Sequence, residues 1–386
     1  MSSPVSTVEA PKITIAIRQP GGAYENLSNW TGLTIEKTLD SAGDGFSFSV
    51  PFNPTPENIR RFRPFGEQVV RVFADGQEFI RGYLEKVGAG LSENDSRLEI
   101  QGRSISAVLV DWSAGFIYDP SKSITGRKGG PTYDPNRSGI KIEAATVSDV
   151  ATEYQFQGLT FNQIADRVSG PYYVYAITDT PTFPDVAIEP GQSVYDFLSS
   201  LAAANGLWSR PAPNGNLEFL TIQQSAPVAD IVEGVSPIRS IVTDHDLTKR
   251  YRGYLAIAQE DGNGDIQSSA EDKSIDVYIR GIKIVEPRQK SANYVNAAKF
   301  TRARALIDSY TVQITVAGWT YGGSFWNPGQ TVRVYAPSAM IMRYAPLIIK
   351  RASFTLDESA GQQTTLDLTF PEAYENRLPE VLPWEE

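Results

Sequence analysis

The 386-residue chain has no cysteine, one histidine and three methionines. The missing thiols exclude disulfides, thiolate nucleophiles and every cysteine-based zinc site, so the fold has to be held by packing or by oligomerisation. Positive charge is also short: 35 Lys and Arg stand against 45 Asp and Glu, a net charge of −10. Nonspecific nucleic-acid affinity comes mainly from Lys and Arg releasing counterions. The balance therefore argues against tight binding, though nucleic acid passing nearby is compatible with it. No apolar run approaches the roughly 20 residues of a bilayer-crossing helix. The start, MSSPVSTVEAP, lacks the basic stretch and apolar core of a secretion signal. The chain reads as one made and kept in the cytoplasm unless it leaves within something larger. What it has in quantity is apolar residue, 41% hydrophobic, in a length too great for one ordinary core, and this predicts two or more domains.

Two distant segments resemble each other: FGEQVVRVFADG from Phe65 and NPGQTVRVYAPS from Asn327. Each sets a glycine (Gly66, Gly329) before a Val-Arg-Val-aromatic-Ala run, Val70 to Ala74 and Val332 to Ala336. Upstream lie FSFSVPF (Phe46 to Phe52) and YTVQITV (Tyr310 to Val316), both with the period-2 alternation of half-buried strands. Downstream come GYLEKV and APLIIKRA, then acidic turns, then RLEI and TLDL. Five features in the same order predict one β-rich unit present twice.

Between the copies the pattern changes. Residues 113 to 150 are rich in Gly, Pro, Ser and Thr, too long for an ordinary connection and read as an exposed insertion loop. Two helices are predicted after it. LTFNQIADRV sets Thr160 and Gln163 in capping-box spacing, and SVYDFLSSLAAANGL sets Ser193 and Asp196 in a looser version. In the second, Val194, Phe197, Leu198 and Leu201 share one face and Gly206 supplies the stop. With YYVYAI as a strand between them, the middle segment reads as a small α/β domain. Asn214-Gly215-Asn216 marks a hairpin expected to return the chain to the first β unit. A further helix, ANYVNAAKFTRARALIDSY, interrupts the second unit, with Tyr294, Ala298, Ala305 and Ile307 on its expected buried side.

Candidate chemistry is sparse. His245 lies between Asp244 and Asp246, and a Ser-His-Asp triad needs such a residue, but no G-x-S-x-G elbow accompanies it; it reads as an ordinary linker histidine. EDGNGDIQSSAED places Asp261, Asn263 and Asp265 like calcium ligands, yet Ile266 replaces the required glycine and Asp272 the bidentate Glu, so a solvated hairpin loop is expected. GRKGG, Gly126 to Gly130, lacks the spacing of a phosphate-binding loop. Lys122, Arg127, Lys128, Arg137 and Lys141 make its surroundings the one basic island of an acidic chain, a solvated loop or a dock for an acidic neighbour. Nothing marks a particular carboxylate pair as a glycosidase dyad. The expectation is no enzyme, no cofactor and no metal.

The stretch GRSISAVLVDWSA from Gly102 poses a last question, since a glycine turn before a helix often holds phosphate. A dinucleotide turn needs G-x-G-x-x-G; here one glycine precedes a bulky Arg103 and a helix of two turns. The motif is read as structural. Gly102 would permit the turn, Ser104 or Ser106 would cap the helix, and Val108, Leu109 and Trp112 would close the end of the preceding β unit.

A strand ending in GRS, a short apolar helix ending in D-W-S, the later GQSVYDFL helix, the GNLEF hairpin and the stretch from Gly318 to Tyr335 together resemble the baseplate hub proteins of contractile-tailed, Mu-like phages. The resemblance spans roughly residues 12 to 372. It implies a mainly β fold with an α/β insertion: two similar tube-type β-barrel domains that form a pseudo-sixfold ring as a homotrimer. The expected division is 11–112 plus 213–240 for the first barrel and 113–212 for the inserted domain. The second barrel takes 241–290 plus 310–372, with 291–309 a helical insertion and 373–386 an extended tail. The implied role is a symmetry adaptor in the virion, assembled in the host cytoplasm. The tail tube or a tube-initiator protein would lie above it, the central spike below, and baseplate wedge proteins around it, with DNA crossing its channel without specific binding. The rival readings are a virion carbohydrate-binding module and a cell-wall glycoside hydrolase. Arg71 and Arg333, alternating with buried valines, are expected to point outward. They join Lys122, Arg127, Lys128 and, in the proline-rich tail, Trp384 as candidate partner-interface residues.

Overall fold

The computed structural model describes residues 10–63, 65, 66, 68–91, 96–115, 154–170, 172–178, 180–260, 263–285, 296–357 and 361–385. The first unit comprises β1 (Ile13–Arg18), β2 (Tyr24–Leu27), β3 (Thr31–Thr38), β4 (Gly45–Pro51), β5 (Val69–Ala74), β6 (Gln77–Leu91) and β7 (Ser96–Ser104). Its spatial order is β3-β4-β7-β6-β5-β1-β2, every neighbour antiparallel. The alternation seen in sequence sets the faces: Phe46, Phe48 and Val50 of β4 are buried while Ser47 and Ser49 lie on the opposite side. A short helix α1 (Pro56–Arg61) bridges β4 and β5, started by Thr55, whose Oγ1 accepts from the Asn58 amide at 3.2 Å.

The inserted domain follows: α2 (Val108–Asp111), β8 (Gln155–Phe156), α3 (Phe161–Val168), β9 (Val174–Ala176), β10 (Val186–Ala187), α4 (Val194–Ala204), β11 (Trp208–Pro211) and β12 (Leu217–Leu220). The capping box of α3 is formed in both directions, Thr160 N to Gln163 Oε1 at 2.9 Å and Gln163 N to Thr160 Oγ1 at 3.4 Å. Ser193 caps α4. The Asn214–Asn216 turn joins β11 to β12, and β12 pairs in parallel with β9. The hairpin therefore stays in the inserted domain instead of returning to the first unit, because Leu217 and Phe219 bury their side chains against Phe161 and Leu201.

The second unit contains β13 (Asp230–Val232) and β14 (Ile238–His245), then β15 (Gly253–Glu260), β16 (Asn263–Glu271), β17 (Ile282–Val285) and α5 (Ala297–Ser309). It continues with β18 (Tyr310–Ala317), the small pair β19 (Thr320–Tyr321) and β20 (Ser324–Phe325), β21 (Thr331–Ala336), β22 (Ile341–Asp357), β23 (Gly361–Thr369) and α6 (Pro371–Tyr374). Strands β15 to β17 form their own three-stranded sheet, against which α5 packs through Ala298 and Ala305. Residues 253–285 are thus an excursion between β14 and β18, outside the main sheet. The pairing of β13 with β21 and of β14 with β18 puts Asp230–Val232 and the stretch from Ile238 in the second unit, not the first.

The order of the second unit is β14-β18-β23-β22-β21-β13, so β3, β4, β7, β6, β5 and β1 have counterparts in β14, β18, β23, β22, β21 and β13. The likeness extends to detail. Val70 pairs with Gly82 as Val332 pairs with Leu347. The ladders to the next strand slip between Leu84 and Lys86 and between Ile349 and Arg351, which makes Glu85 and Lys350 the same bulge residue. The carbonyl of Gln68 accepts from Leu84 N at 2.8 Å, and that of Gln330 from Ile349 N at 2.9 Å. Two differences remain: β1 runs antiparallel to β5 whereas β13 runs parallel to β21, and β2 has no counterpart. The units do not stand apart, because β22 also pairs with β3, Arg351 opposite Thr38 through Leu356 opposite Leu33. One 13-stranded sheet results, with Ile35 and Phe354 fully buried across the seam.

The glycine of GRS has a role other than a turn. Gly102 sits inside β7 with ordinary extended backbone; a Cβ there would fall 2.1 Å from Tyr83 O and 2.3 Å from Phe46 Cζ. Gly82 is the same case, 2.1 Å from Arg103 O and 2.8 Å from Phe46 Cε1. By the pairings, Phe46, Gly82 and Gly102 correspond to Val312, Leu347 and Leu368, all three fully buried. One unit fills this volume with one large ring over two glycines, the other with three mid-sized side chains. Neither Ser104 nor Ser106 caps the following helix; Ser104 Oγ instead accepts from Asp44 N at 3.0 Å and meets Ser106 Oγ at 3.2 Å. Leu109, Val108 and Trp112 pack with the inserted domain's core, Trp112 edge-on to Tyr172 at 5.3 Å, so this helix founds the insertion and does not close the β unit.

Candidate interaction surfaces

The two arginines of the repeat occupy equivalent positions and are both engaged within the chain. Arg71 Nε donates to Glu78 Oε1 at 2.6 Å, and its guanidinium lies 4.8 Å from the Phe73 ring and 5.3 Å from that of Tyr24. Arg333 makes a bidentate pair with Asp230, 2.9 and 2.6 Å, and lies over Tyr344 at 5.2 Å, which itself stacks on Tyr335. The carboxylate comes from the following strand in one unit and from β13 in the other. Each guanidinium is thus held between a carboxylate and aromatic rings of its own unit. Lys122, Arg127, Lys128 and the GRKGG stretch lie outside the described residues, as does Asp261 of the calcium-like loop; that loop joins two strands, β15 and β16, as a hairpin.

The tail is not extended. Leu378 and Leu382 pack against the main core, Met342 N donates to Pro383 O at 2.9 Å, and Trp384 meets the rings of His245 and Tyr310 at 5.0 and 5.8 Å. Apolar side chains at these spacings had surface to bury, and they bury it on the chain itself. Of the interface candidates, Trp384 is thus brought onto His245, while Arg71 and Arg333 stay in their separate units. Trp384→Ala is expected to lower the urea midpoint by an amount equivalent to about 1–2 kcal/mol, the value of a partly buried ring with edge contacts, measurable by fluorescence of the remaining tryptophans.

Sequence reading missed two surfaces. The first is the polar face that spans the seam, a shallow cleft of about 620 Å³ lined by Thr34, Ser47, Ser49, Glu99, Gln101 and Thr355 among others. It is bordered by a polar ladder in which Thr315 and Thr365 hydroxyls meet at 3.0 Å and Gln313 donates to Asp367. Arg351 ties Asp367 to Glu36, across the seam, at 2.7 and 3.4 Å. The signal was present as polar residues at every second position, Ser47 and Ser49 in FSFSV and Thr365, Asp367 and Thr369 in TTLDLT. The second is a cleft of about 350 Å³ between the seam, α5 and α6, with Asp40, Trp208, Arg304, Asp308, Lys350 and Tyr374 in its wall.

Asp40 stands in this cleft in a left-handed conformation (φ 56°), paired with Arg304 at 2.6 Å. Burial pushes its carboxyl up to about 6, against the pull of Arg304 and with a further push from Asp308. Nearby, the buried Asp44 is raised and the buried Lys37 lowered, each chiefly by desolvation, with their mutual attraction opposing both shifts; the Lys37 ammonium lies 3.7 Å from the centre of the Phe79 ring. A carboxyl whose folded pKa exceeds its unfolded one binds its proton more readily when folded, so its contribution to stability declines as pH rises from about 4 through 6. Asp40→Asn is expected to flatten the dependence of Tm on pH across that window, read by calorimetry between pH 4 and 8, with Asp44 carrying the slope that remains. Among the described residues no group of His, Asp and Glu is placed to hold a metal, and no helix is long and apolar enough to cross a membrane.

The duplicated sheet with its inserted domain is similar in fold, and two of its segments in sequence, to phage tail and baseplate proteins. Residues 145–221 match the family described as baseplate hub protein gp44-like, second domain, and residues 290–377 match Mu phage baseplate assembly protein GpP, fourth domain. Two segments of the chain, together less than half of it, are thus similar to domains of phage baseplate proteins. Its fold is that of the 43 kDa tail protein of prophage MuSo2 from Shewanella oneidensis, with 20% identity, 94% of this chain and 99% of that one covered, and TM-score 0.71. A tail protein from Neisseria meningitidis is similar at 21% identity, 94% and 98% coverage and TM-score 0.70. The E. coli c3393 protein, described as a type VI secretion component with structural similarity to the T4 tail proteins gp27 and gp5, is similar at 13% identity, 93% and 78% coverage and TM-score 0.51. No curated protein matches the chain in sequence. The two matched domains are described as parts of baseplate proteins, and the first two of these solved structures as tail proteins.

Proposed function

We propose that the chain is the structural hub of a contractile phage baseplate or a related injection particle. Three copies form a ring that adapts a sixfold tail tube to a trimeric spike and leaves a channel for DNA. The observation that carries this is the internal duplication: six strands in the same order with the same bulge, Glu85 in one unit and Lys350 in the other. Two equivalent units in each of three chains present six near-equivalent positions to one neighbour and three to the other, a match that needs symmetry and no catalytic residue. The tube or its initiator lies on one side, the spike on the other and wedge proteins outside; the protein enters the virion after assembly in the host cytoplasm. The inserted domain and the 253–285 excursion, which have no counterparts in the other unit among the described residues, are the parts free to differ between contacts. The mass of the purified chain in solution and low-resolution images of it test this: a three-chain ring with a central hole is expected. A protein that stays single, and that forms no threefold collar in images of the particle containing it, would sink the proposal.

A further inference from the structure

The duplication makes a stronger statement about the chain's open edges. β3 is covered on both sides, by β4 and by β22. Its counterpart β14 pairs with β18, and among the described residues no strand covers its other side. The same contrast holds for the two long strands. The far half of β22, Arg351–Leu356, lies between β23 and β3, whereas the far half of β6, Lys86–Leu91, pairs with β7 alone. The two edges left open are the counterparts of the two edges that the chain pairs with each other at its own seam. Their side chains show the difference: Leu33, Ile35, Ala352 and Phe354 at the seam are buried, while their counterparts Ile241, Thr243 and Val87 are half-buried and Ala89 is exposed.

We infer that β6 of one copy pairs antiparallel with β14 of the next, repeating between chains the β22–β3 junction found within one. The inference rests on the ring proposed above. The register follows from the counterparts. Phe354 lies opposite Ile35; Ala89 takes the place of Phe354, three residues beyond Lys86 as Phe354 is beyond Arg351. Thr243 takes the place of Ile35, since Thr243 faces Val312 as Ile35 faces Phe46. Ala89 therefore meets Thr243, Leu91 meets Ile241 and Val87 meets His245. Lys86 falls opposite Asp246, an opposite-charge pair at the end of the ladder. Each chain offers one edge of each kind, so the contact is head-to-tail, and in the threefold ring proposed above it closes on itself. Three internal and three intermolecular junctions then alternate in one continuous wall. Glu85, Lys86, Gly88 and Gly90 make the free β6 edge charged and poor in β-propensity, the features that keep an unpaired edge from indiscriminate pairing.

The absence of cysteine allows a direct test. The double variant Ala89→Cys/Thr243→Cys carries the only two thiols in the chain, and mild oxidation is expected to convert at least half of it to a reducible three-chain species on denaturing gels. Ala89→Cys/Val242→Cys, which sets the thiols on opposite faces, is expected to give at least tenfold less, and each single variant no three-chain species. Both sites lie on the open edges, and the single variants check that each substitution leaves the fold and mass unchanged. A three-chain assembly that forms without the crosslink would overturn the pairing while leaving the proposed ring intact. A chain that stays single and uncrosslinked would overturn both. A reducible ladder running beyond three chains would support the edge pairing and remove the threefold closure.

Discussion

Gly102→Ala is expected to cost 4 kcal/mol or more, enough to leave the chain largely unfolded at 37 °C. The added methyl would sit 2.1 Å from the Tyr83 carbonyl oxygen and 2.3 Å from Phe46 Cζ. The first is backbone of a neighbouring strand and has nowhere to go while β6 and β7 stay paired; the second is a ring held by burial. Overpacking a well-packed core costs about 1–3 kcal/mol, and forcing two strands apart adds the loss of their hydrogen bonds. Gly88→Ala is the control: the same chemistry on the same pair of strands, with nothing nearer than 3.9 Å, so a change within about 0.5 kcal/mol or a slight gain is expected. Phe46→Val in the Gly102→Ala background separates the two clashes. It relieves the ring contact but not the carbonyl contact, so partial recovery of the urea midpoint is expected, and full recovery would show the backbone approach to be unimportant.

This site also marks where reading the sequence ran out. The repeat around Val70 and Val332 was legible because both copies keep the same alternating run, and alternation is a local property. The caps at Thr160 and Ser193 were legible for the same reason. A glycine before Arg-Ser followed by apolar residues has the composition of a turn, but the need for glycine at Gly102 comes from the Tyr83 carbonyl and from Phe46, 56 positions away in sequence and directly opposite in β4. The placement of β13 and β14 failed likewise. Nothing in DIV or IRSIVTDH says which sheet the strands join, and that choice is made by Val334, Val312 and Ile314, which they pair with. The prolines of the tail predict an extended segment, whereas Leu378, Leu382 and Trp384 have a core surface within reach. Of the interaction surfaces, Arg71 and Arg333 were visible as repeat residues, but their carboxylate partners, Glu78 from one side and Asp230 from the other, break the symmetry that the repeat suggests. The continuity of the sheet through β22 and β3 left no mark in the sequence, because a seam between two half-buried strands looks like any other strand pair.

Trp208→Ala is expected to be the other severe change, because this side chain ties three parts of the molecule together. It starts β11 of the inserted domain, yet its ring lies in the main core, stacked on Phe300 of α5 at 4.3 Å and edge-on to Tyr374 of α6 at 4.8 Å. Its indole N–H donates to the Tyr374 carbonyl at 2.9 Å. The next residue extends the tie, since the Ser209 carbonyl accepts from Asp40 N at 2.8 Å and its hydroxyl meets Tyr195 at 2.9 Å. Truncating a buried tryptophan costs about 3–5 kcal/mol, and the orphaned carbonyl adds about 1–3. Trp208→Phe keeps most of the ring and loses only the hydrogen bond, so a loss near the lower end of that second range is expected. The decisive readout is cooperativity. If Trp208 locks the inserted domain to the duplicated sheet, the alanine variant should unfold in two separated transitions in urea where the parent shows one, and limited proteolysis should release the domain around residues 154–220 first. A single transition merely shifted to lower urea would mean that the inserted domain is held to the sheet by its other contacts.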